Sequence, residues 1–570
     1  MRASAIFRIR LMTGVVTLLA LVLSARLYQV QIANSEEYRG LAERQYVHTT
    51  QNLFDRGSIY FSTKDGETVS AASIRSGYLI AGNPSIIKDD EKTYEALQAL
   101  YPIEKQEFMS HLKNKADTYE VIATKVDEKT ALAIKAKKIS GISVYRDQWR
   151  YYPGDTLAAH SIGFIGYEGN TLAGRYGLER YYDDTLERND ETVSVNFFAE
   201  IFSNLGLFTY DAKQKRAGDL VTSLEPTVSR TLDSELEKIH EKLESKITGG
   251  IIMDPKTGEI YALSVTPGFN LNDKGDATLN DFRNSLVEDV YEMGSIIKPL
   301  TVAAGIDTRI INAKTTYYDA GFLEMDGYKI SNYDHKGRGT VTMQEVLNQS
   351  LNTGVATIVK MMGRTKYRDY LKKFEFGTET GIDLPNETHG LVDNVLSSPR
   401  SIEYATASYG QGIAMTPIET IRALASLANG GELVTPHVAT EIHLEDGSIR
   451  EITYPDNTRV FSPETSEEIS RMLTVVVDKA LVGGTKKFEH YSVAAKTGTA
   501  QIANPDGKGY YDDRYLHSFF GYFPSYDPRF IIFLYTVEPK GVKYASETLT
   551  DPFINTVKFL INYYAIPPDR

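Results

Sequence analysis

Three short polar motifs could together carry out acyl transfer through a serine nucleophile. Ser295 stands three residues before Lys298, Ser350 stands two residues before Asn352, and Lys496 begins the triplet Lys-Thr-Gly. A lysine one helical turn from a serine can take the hydroxyl proton, and the acyl-enzyme that follows divides one difficult displacement into two easier ones. Each motif alone is weak evidence, because a long chain contains such short patterns by chance. The ordered set S-x-x-K, S-x-N and K-T-G within one region is the informative signal.

The tetrapeptide Ser-Ile-Ile-Lys occurs twice, at 85–88 and at 295–298, and the neighbouring residues distinguish the two copies. The first copy runs into Asp-Asp-Glu, and these acids keep its lysine protonated and unsuited to act as a base. The second copy follows a glycine and precedes Pro299, which is typical of a tight turn leading into a helix. A helix that begins at Ser295 would place free N–H groups beside this hydroxyl. We predict that Ser295 is the nucleophile and Lys298 its base, and that the first copy is a loop before a helix.

The second motif lies in LNQSLNTG, which indicates a junction between a helix and a turn. There the hydroxyl of Ser350 can relay a proton, and the amide of Asn352 can hold a peptide group of a substrate. A second S-x-N triplet, at 194–196, precedes the predicted nucleophile and is not part of the ordered set.

The third motif lies in VAAKTGTAQ, which alternates like a β-strand. Lys496 is expected on the face opposite to Thr497 and Thr499 unless the strand twists or bulges. Gly498 has no side chain, so an extended substrate could lie beside the strand. The other K-T-G triplet, at 256–258, is explained by a hairpin turn.

The elements that must position these motifs fall into two regions. Residues 33–215 mix helical spacing with β-rich stretches and contain no obvious catalytic constellation, which predicts an α+β module. Residues 216–570 begin with a short strand and a long amphipathic helix that starts at Pro226, followed by two apolar strands joined by Asp-Pro-Lys-Thr-Gly. Strands return after a long helical middle, which predicts an α/β domain whose sheet is built from both ends of the segment.

The N-terminus predicts a membrane anchor over residues 1–32. Three arginines precede an uncharged, mostly apolar run from 11 to 25, and the apolar pattern continues after Arg26. A cleaved signal peptide is the alternative, but Leu23 is too large for the small-x-small pattern of a cleavage site. The positive charge keeps the N-terminus in the cytoplasm and places the rest of the chain outside.

The composition excludes several classes of function. The 570 residues carry a formal net charge of -13, which argues against nucleic acid as a partner because phosphate contacts need clustered Lys and Arg. Cysteine is absent, so Cys nucleophiles, thiolate metal sites and disulfides are excluded. The length favours two or three domains rather than one core.

The chain resembles the class B penicillin-binding proteins, the membrane-anchored D,D-transpeptidases that cross-link peptidoglycan. The pattern Tyr-Glu-x-Gly-Ser, which ends at the predicted nucleophile, is closer to the division and spore types than to the elongation type. Met293 stands where the family usually has proline, and IYFSTKDG is a loose version of another family box. Beyond the catalytic motifs, the likeness is carried by DRGSIYF (55–61), GRYGLERYYDDTL (174–186), TGEIYAL (257–263), FGTETGIDLPNETHG (376–390), SYGQGIAMTPIE (408–419) and LANGG (427–431).

This resemblance implies an architecture and partners. The expected fold has a single N-terminal transmembrane helix, an α+β pedestal or dimerisation module, and a serine β-lactamase-like transpeptidase domain with an antiparallel sheet and a helical subdomain. Peptidoglycan stem peptides and β-lactam antibiotics are the expected ligands, in septal or lateral wall synthesis. A SEDS-type glycan polymerase and other division or elongation proteins are the expected partners, and no cofactor or metal is expected.

The resemblance also implies a role for each catalytic residue. Lys298 would take the proton of Ser295, which attacks the carbonyl between the two terminal D-alanines of a stem pentapeptide. Ser350, close to Lys496, would pass the proton to the leaving amine, and Asn352 would hold the peptide amide. An amino group of a second stem peptide would then resolve the acyl-enzyme.

The residues around the third motif would bind the substrate. The backbone N–H groups of Ser295 and Thr499 would form the oxyanion hole, and Thr497 and Thr499 would bind the terminal carboxylate beside Gly498. Two alternatives stay open: a hydrolytic D,D-carboxypeptidase or β-lactamase, and a non-catalytic penicillin-binding scaffold or sensor. The sequence shows no clear deacylating glutamate between the second and third motifs, and all five catalytic residues are intact.

Overall fold

The computed structural model describes Gly14 and residues 54–168, 171–188, 217–275, 277–504, 507 and 509–570. The predicted membrane anchor, apart from Gly14, and the S-x-N triplet at 194–196 lie outside these residues. In the part of the chain that is described, no helix combines the length and the apolar character needed to cross a bilayer.

The chain divides into two compact units. The smaller unit contains Ile74–Trp149, and the larger unit contains Arg56–Ser73, Arg150–Arg188 and the described residues that follow 204. The boundaries of the smaller unit along the chain fall within the 15-residue strand Thr68–Gly82 and within the strand Ile142–Tyr151.

The smaller unit has the mixed α and β content that its sequence predicts. Its helices start where aspartates cap them: Asp89 accepts from the N–H of Lys92, and Asp127 accepts from the N–H of Thr130. The first Ser-Ile-Ile-Lys copy lies in the loop before the first of these helices, as predicted, and Ser85 donates to Asn83 there at 2.6 Å. The elements confined to this unit are the helices Asp90–Gln98, Lys105–His111 and Glu128–Lys137 and the strand Glu120–Val126.

A five-stranded antiparallel sheet forms the centre of the larger unit, and we call it the catalytic sheet. Its strand order is Ala494–Ala503, Tyr510–Phe523, Phe530–Val537, Ile247–Met253 and Ile260–Thr266. The last strand of the chain therefore pairs with the first strand of the hairpin, which confirms the prediction of a sheet built from both ends. Lys256, of the K-T-G triplet at 256–258, lies in the hairpin loop, also as predicted, and pairs with Asp527.

Two helices cover one face of the catalytic sheet. Pro226–Leu243 begins at the predicted proline, and Glu225 caps it by accepting from the N–H of Val228 at 2.6 Å. Its apolar residues recur at helical spacing and join those of Thr550–Tyr563 in one buried cluster with the sheet. This cluster makes the sheet a rigid support for the motif on its edge strand.

A helical lobe surrounds the helix Lys298–Asp307. That helix is buried on every side from Lys298 to Gly305, as expected for a helix at the centre of a core. The surrounding helices are Ser285–Glu288, Met343–Asn348, Asn352–Met362, Arg364–Lys373, Asp393–Leu396, Ser401–Ala407, Pro417–Ala425 and Pro463–Val475. Two small two-stranded sheets accompany them: Thr316–Asp319 with Gly339–Thr342, and Phe322–Met325 with Tyr328–Ser331.

A second sheet of the larger unit is mixed. Ile59–Ser62 pairs in parallel with Gly218–Thr222, which pairs antiparallel with Ala439–Leu444. The remaining strands of this unit are Ile165–Glu168, Thr171–Gly174, Glu432–Leu433, Ile449–Glu451 and Thr458–Arg459. Its further short helices include Ala159–Ile162, Gly177–Tyr181, Asp183–Leu186, Val476–Ala480, Leu481–Gly484 and Ala545–Thr548.

A buried ion cluster joins DRGSIYF to GRYGLERYYDDTL. The carboxylate of Glu179 accepts from Arg56 Nε at 2.6 Å and from Arg150 Nε at 2.6 Å, and all three side chains are at most 2 % exposed. Because an unpaired buried charge is costly, these residues must be present together. Their role is to hold distant parts of the chain in place.

Candidate active site

The predicted nucleophile lies in a tight turn, Gly294–Ile297, that leads into the helix Lys298–Asp307. The sequence predicts an α-helix that begins at Ser295, whereas the serine occupies a 3₁₀ turn and the α-helix begins at Lys298. Pro299 lies in the first turn of that helix, where it loses no hydrogen bond. Ser295 is partly exposed, and Lys298 is fully buried one turn further on.

Two backbone segments pack closely against this turn. Gly294 has φ +66°, and its N–H donates to the oxygen of Gly410 at 3.1 Å. A Cβ atom on Gly410 would lie 2.3 Å from the oxygen of Gly294, and a Cβ on Gly294 would lie 2.9 Å from the oxygen of Thr499. The turn therefore requires glycine at both positions, which explains part of the SYGQG motif.

Lys298 is buried against the second motif. Its Nζ donates to the backbone oxygen of Ser350 at 2.6 Å and to the hydroxyl oxygen at 3.1 Å. Burial, together with the positive charge of Lys496, holds the pKa of Lys298 well below its ordinary value. The lowered pKa favours the neutral amine, which is the form that can accept a proton.

Ser350 and Asn352 lie at the predicted junction between a helix and a turn. Met343–Asn348 ends just before them, and Asn352–Met362 begins at the asparagine. Ser350 has φ +55°, an uncommon conformation for a residue other than glycine. The side-chain amide of Asn352 donates to the backbone oxygen of Ser331 at 2.9 Å.

Lys496 lies on the edge strand of the catalytic sheet. Its side chain is 3 % exposed, Nζ donates to the oxygen of Thr497 at 2.9 Å, and burial lowers its pKa to about 7. Burial alternates along the strand, with Lys496 inward and Thr497 and Thr499 half-exposed, which confirms the predicted alternation. All three nevertheless line the same cavity.

Gly498 packs against the nucleophile turn. A Cβ atom there would lie 2.3 Å from the hydroxyl oxygen of Ser518 and 2.8 Å from the backbone oxygen of Met293. Ser518 donates to that same Met293 oxygen at 2.7 Å. The absence of a side chain at Gly498 thus lets the third motif approach the first.

A cavity of about 670 Å³ brings the three motifs together. The sequence did not predict the aromatic and charged residues of its wall, although Tyr409 and Gln411 belong to the quoted SYGQG motif. Among the described lining residues, Asp512 is the only carboxylate. The lining includes Ser295, Lys298, Ser350, Asn352, Lys496, Thr497 and Thr499, and also Tyr333, His335, Tyr409, Gln411, Asp512, Lys543 and Tyr544.

A partly buried carboxylate lies close to the nucleophile turn in the chain. Glu292 accepts from the N–H of Gly412 and from the hydroxyl of Tyr510, each at 3.1 Å. Burial raises its pKa to about 7. Glu292, two residues before the nucleophile turn, therefore connects this part of the chain to the SYGQG segment and to the second strand of the catalytic sheet.

Two family models match the chain. The penicillin binding protein transpeptidase domain matches residues 248–557, which include all three motifs. The penicillin-binding protein dimerisation domain matches residues 28–200.

Curated relatives are similar over nearly their whole length. Stage V sporulation protein D of Bacillus subtilis is 30 % identical over 555 residues, which are 96 % of this chain and 84 % of that protein. Penicillin-binding protein PbpB of Mycobacterium tuberculosis is 28 % identical, over 93 % of this chain and 81 % of that protein. The peptidoglycan D,D-transpeptidase FtsI homolog of Mesostigma viride is 27 % identical, over 96 % of this chain and 94 % of that protein.

Solved structures share the fold. Penicillin binding protein 2X from Streptococcus thermophilus superposes with a TM-score of 0.72 at 20 % identity, over 90 % of this chain and 81 % of that one. Penicillin binding protein 3 from Mycobacterium tuberculosis, in complex with aztreonam, has a TM-score of 0.68 at 23 % identity, over 91 % of this chain and 98 % of that one.

Proposed function

This chain belongs to the class B penicillin-binding proteins, with a transpeptidase domain and a dimerisation domain, and we propose that it cross-links peptidoglycan stem peptides as a serine D,D-transpeptidase. One observation carries the proposal. Lys298 is fully buried, has a lowered pKa, and contacts Ser350 in a cavity that Ser295 also lines. A serine, an amine with a lowered pKa and a second hydroxyl in one cavity are the parts that acyl transfer needs.

In the first half-reaction, Ser295 Oγ attacks the carbonyl carbon between the two terminal D-alanines. Lys298 Nζ takes the hydroxyl proton, and Ser350 Oγ, 3.1 Å away, passes a proton to the amine of the departing D-alanine. The C–N bond breaks as the ester on Ser295 remains. The amine of a second stem peptide then attacks this ester and regenerates the serine.

The first and third motifs would stabilise the charge that develops on the substrate oxygen. The N–H groups of Ser295 and Thr499 lie on segments held together by the close approach of Gly294 to the Thr499 backbone. In other acyl-transfer enzymes, one such donor contributes roughly 3 to 4 kcal/mol to the transition state. Thr497, Thr499 and protonated Lys496 would receive the terminal carboxylate beside Gly498.

Hydrolysis is the competing fate of the acyl-enzyme. A deacylating carboxylate would need to reach a water molecule beside the ester, and Asp512 is the only carboxylate among the described lining residues. Its exposed position on the wall favours transfer to an amine over transfer to water.

We also propose the domain bounds, the membrane anchor and the partners of the protein. We assign residues 33–215 to the pedestal or dimerisation module and 216–570 to the transpeptidase domain, which the two matched ranges support. Residues 1–32 would anchor the protein in the membrane with the N-terminus in the cytoplasm and the bulk outside. A SEDS-type glycan polymerase and β-lactams are the proposed partner and inhibitors.

The test is covalent labelling of the full-length protein by a fluorescent penicillin. We expect labelling of the wild type and none of Ser295→Ala. Ser85→Ala, which alters the other Ser-Ile-Ile-Lys copy, is the matched control and should label like the wild type. Equal labelling of Ser295→Ala and wild type would overturn the assignment, and rapid loss of the label would favour hydrolysis over transfer.

A further inference from the structure

A buried polar network lies behind the second motif, and its members come from segments that the three motifs do not include. Asp319 ends the strand Thr316–Asp319, and Asn332 directly follows the strand Tyr328–Ser331. Each of these two side chains is 1 % exposed. Neither lines the cavity, so direct contact with a substrate does not account for them.

The carboxylate of Asp319 is the centre of this network. It accepts from Thr353 Oγ1 at 2.9 Å, from the amide of Asn332 at 3.0 Å, from the N–H of Gly321 at 3.0 Å and from the N–H of Arg338 at 3.1 Å. A buried carboxylate with four donors is fully satisfied and therefore rigid. It holds the two small two-stranded sheets and the start of the helix Asn352–Met362 together.

Asn332 transmits this rigidity to the second motif. Its side-chain oxygen accepts from the N–H of Thr353 at 3.2 Å, one residue after Asn352. The preceding residue, Ser331, presents its backbone oxygen to the amide of Asn352 at 2.9 Å. Two successive residues of one segment therefore hold both the backbone and the side chain at the beginning of this helix.

The same segment holds the other end of the motif. Arg338 Nε donates to the side-chain oxygen of Gln349 at 3.1 Å, and Gln349 precedes Ser350. Residues 331–338 thus contact the motif on both sides, and Tyr333 and His335 from this segment line the cavity.

We propose that Asp319 and Asn332 are positioning residues for Asn352, and that they determine how strongly the site prefers ligands that carry an amide next to the reacting carbonyl. The inference rests on the proposed function, in which Asn352 holds the peptide amide of the stem peptide. An amide group must be placed to within a few tenths of an ångström to hydrogen-bond its ligand, so loss of its support should weaken this contact first.

The experiment compares two β-lactams that differ at this amide. Benzylpenicillin carries an acylamino side chain, whereas 6-aminopenicillanic acid has a free amine in its place. The measured quantity is the ratio of their second-order rate constants for acylation of the full-length protein. Unfolding of part of the sample lowers the labelled amount but leaves this ratio unchanged, so a purely structural defect would not alter it.

We expect Asn352→Ala to lower the ratio at least tenfold and Asn332→Ala to lower it by a similar factor. Asp319→Asn keeps the shape and one acceptor and should lower the ratio less than Asp319→Ala, and it serves as the milder variant if Asn332→Ala does not fold. Asn429→Ala is the matched control, because Asn429 makes three comparable hydrogen bonds, to Pro255 and Glu432, away from the cavity.

A wild-type ratio in both Asn332→Ala and Asp319→Asn, beside a lowered ratio in Asn352→Ala, would overturn the inference alone. A lowered ratio in Asn429→Ala would also overturn it, because the effect would then be general. A wild-type ratio in Asn352→Ala would overturn both the inference and the role of Asn352. A separate measurement tests the proposed function itself, which would be wrong if the fluorescent penicillin labelled Ser295→Ala as it labels the wild type.

Discussion

Lys298 Nζ lies 2.6 Å from the backbone oxygen of Ser350 and 3.1 Å from its hydroxyl, although the two residues are 52 positions apart in the chain. The backbone contact fixes the amine, and the side-chain contact gives a proton a direct path from base to relay. Ser350 has a positive φ, a strained conformation that the surrounding contacts must hold in place. The geometry couples the first two motifs into one unit.

The rate of acylation should depend on pH through Lys496. Because burial lowers the pKa of this lysine to about 7, it loses its positive charge as the pH rises above that value. We expect the second-order rate constant for acylation by benzylpenicillin to fall between pH 7 and pH 9. Lys496→Arg keeps the charge and should lose this fall, whereas Lys256→Arg, in the other K-T-G triplet, should keep it. An unchanged profile in Lys496→Arg would refute this explanation.

Replacement of Lys298 by methionine should stabilise the protein and abolish labelling. The folded state holds this lysine with a lowered pKa, so the unfolded state binds more protons at neutral pH and folding is penalised there. We expect the free energy of unfolding of Lys298→Met to rise by about 1 to 2 kcal/mol at pH 7. The gain should shrink as the pH approaches 10, where the unfolded lysine also loses its proton. Chemical denaturation at both pH values measures this, and a larger gain at pH 10 would contradict it.

Gly410→Ala should damage the nucleophile turn. Gly410 has φ +76°, and a Cβ atom there would lie 2.3 Å from the oxygen of Gly294. We expect a loss of about 2 to 3 kcal/mol in stability and at least a tenfold slower acylation, because the backbone next to Ser295 must move. Gly430→Ala is the matched control, with φ +85° and nothing within 4 Å of the added Cβ, and it should acylate normally. Equal effects of the two changes on acylation would show that the close contact is unimportant.

Glu179→Gln should be strongly destabilising. The change leaves the buried guanidinium groups of Arg56 and Arg150 without their shared carboxylate, which typically costs about 3 to 5 kcal/mol. Glu244→Gln removes an exposed partner of Lys540 and should not change the midpoint of thermal unfolding. Differential scanning calorimetry compares the two variants, and similar midpoints would show that the buried cluster contributes little.

Much of the fold follows from local patterns. Pro226 and the apolar spacing after it predict the helix Pro226–Leu243, and Asp-Pro-Lys-Thr-Gly between two apolar runs predicts the hairpin of the catalytic sheet. These signals involve residues close in sequence, so propensity and periodicity suffice to recognise them. The sequence predicts an α-helix from Ser295, whereas the α-helix begins three residues later, at Lys298. A 3₁₀ turn and an α-helix have the same sequence signals at this point.

Local sequence patterns suffice to indicate which serine, lysine and asparagine could do the chemistry, since the order of three motifs and the neighbours of each copy of Ser-Ile-Ile-Lys are read directly along the chain. The three-dimensional structure is needed to show that Lys298 is buried beside Ser350 and that Gly498 faces Met293 and Ser518. It also shows that Asp319 contacts Asn332, and that Asn332 contacts Thr353 next to the second motif. These relationships join distant segments, and their effect comes from desolvation and close packing. Both depend on what surrounds a residue in space, which short patterns along the chain do not encode.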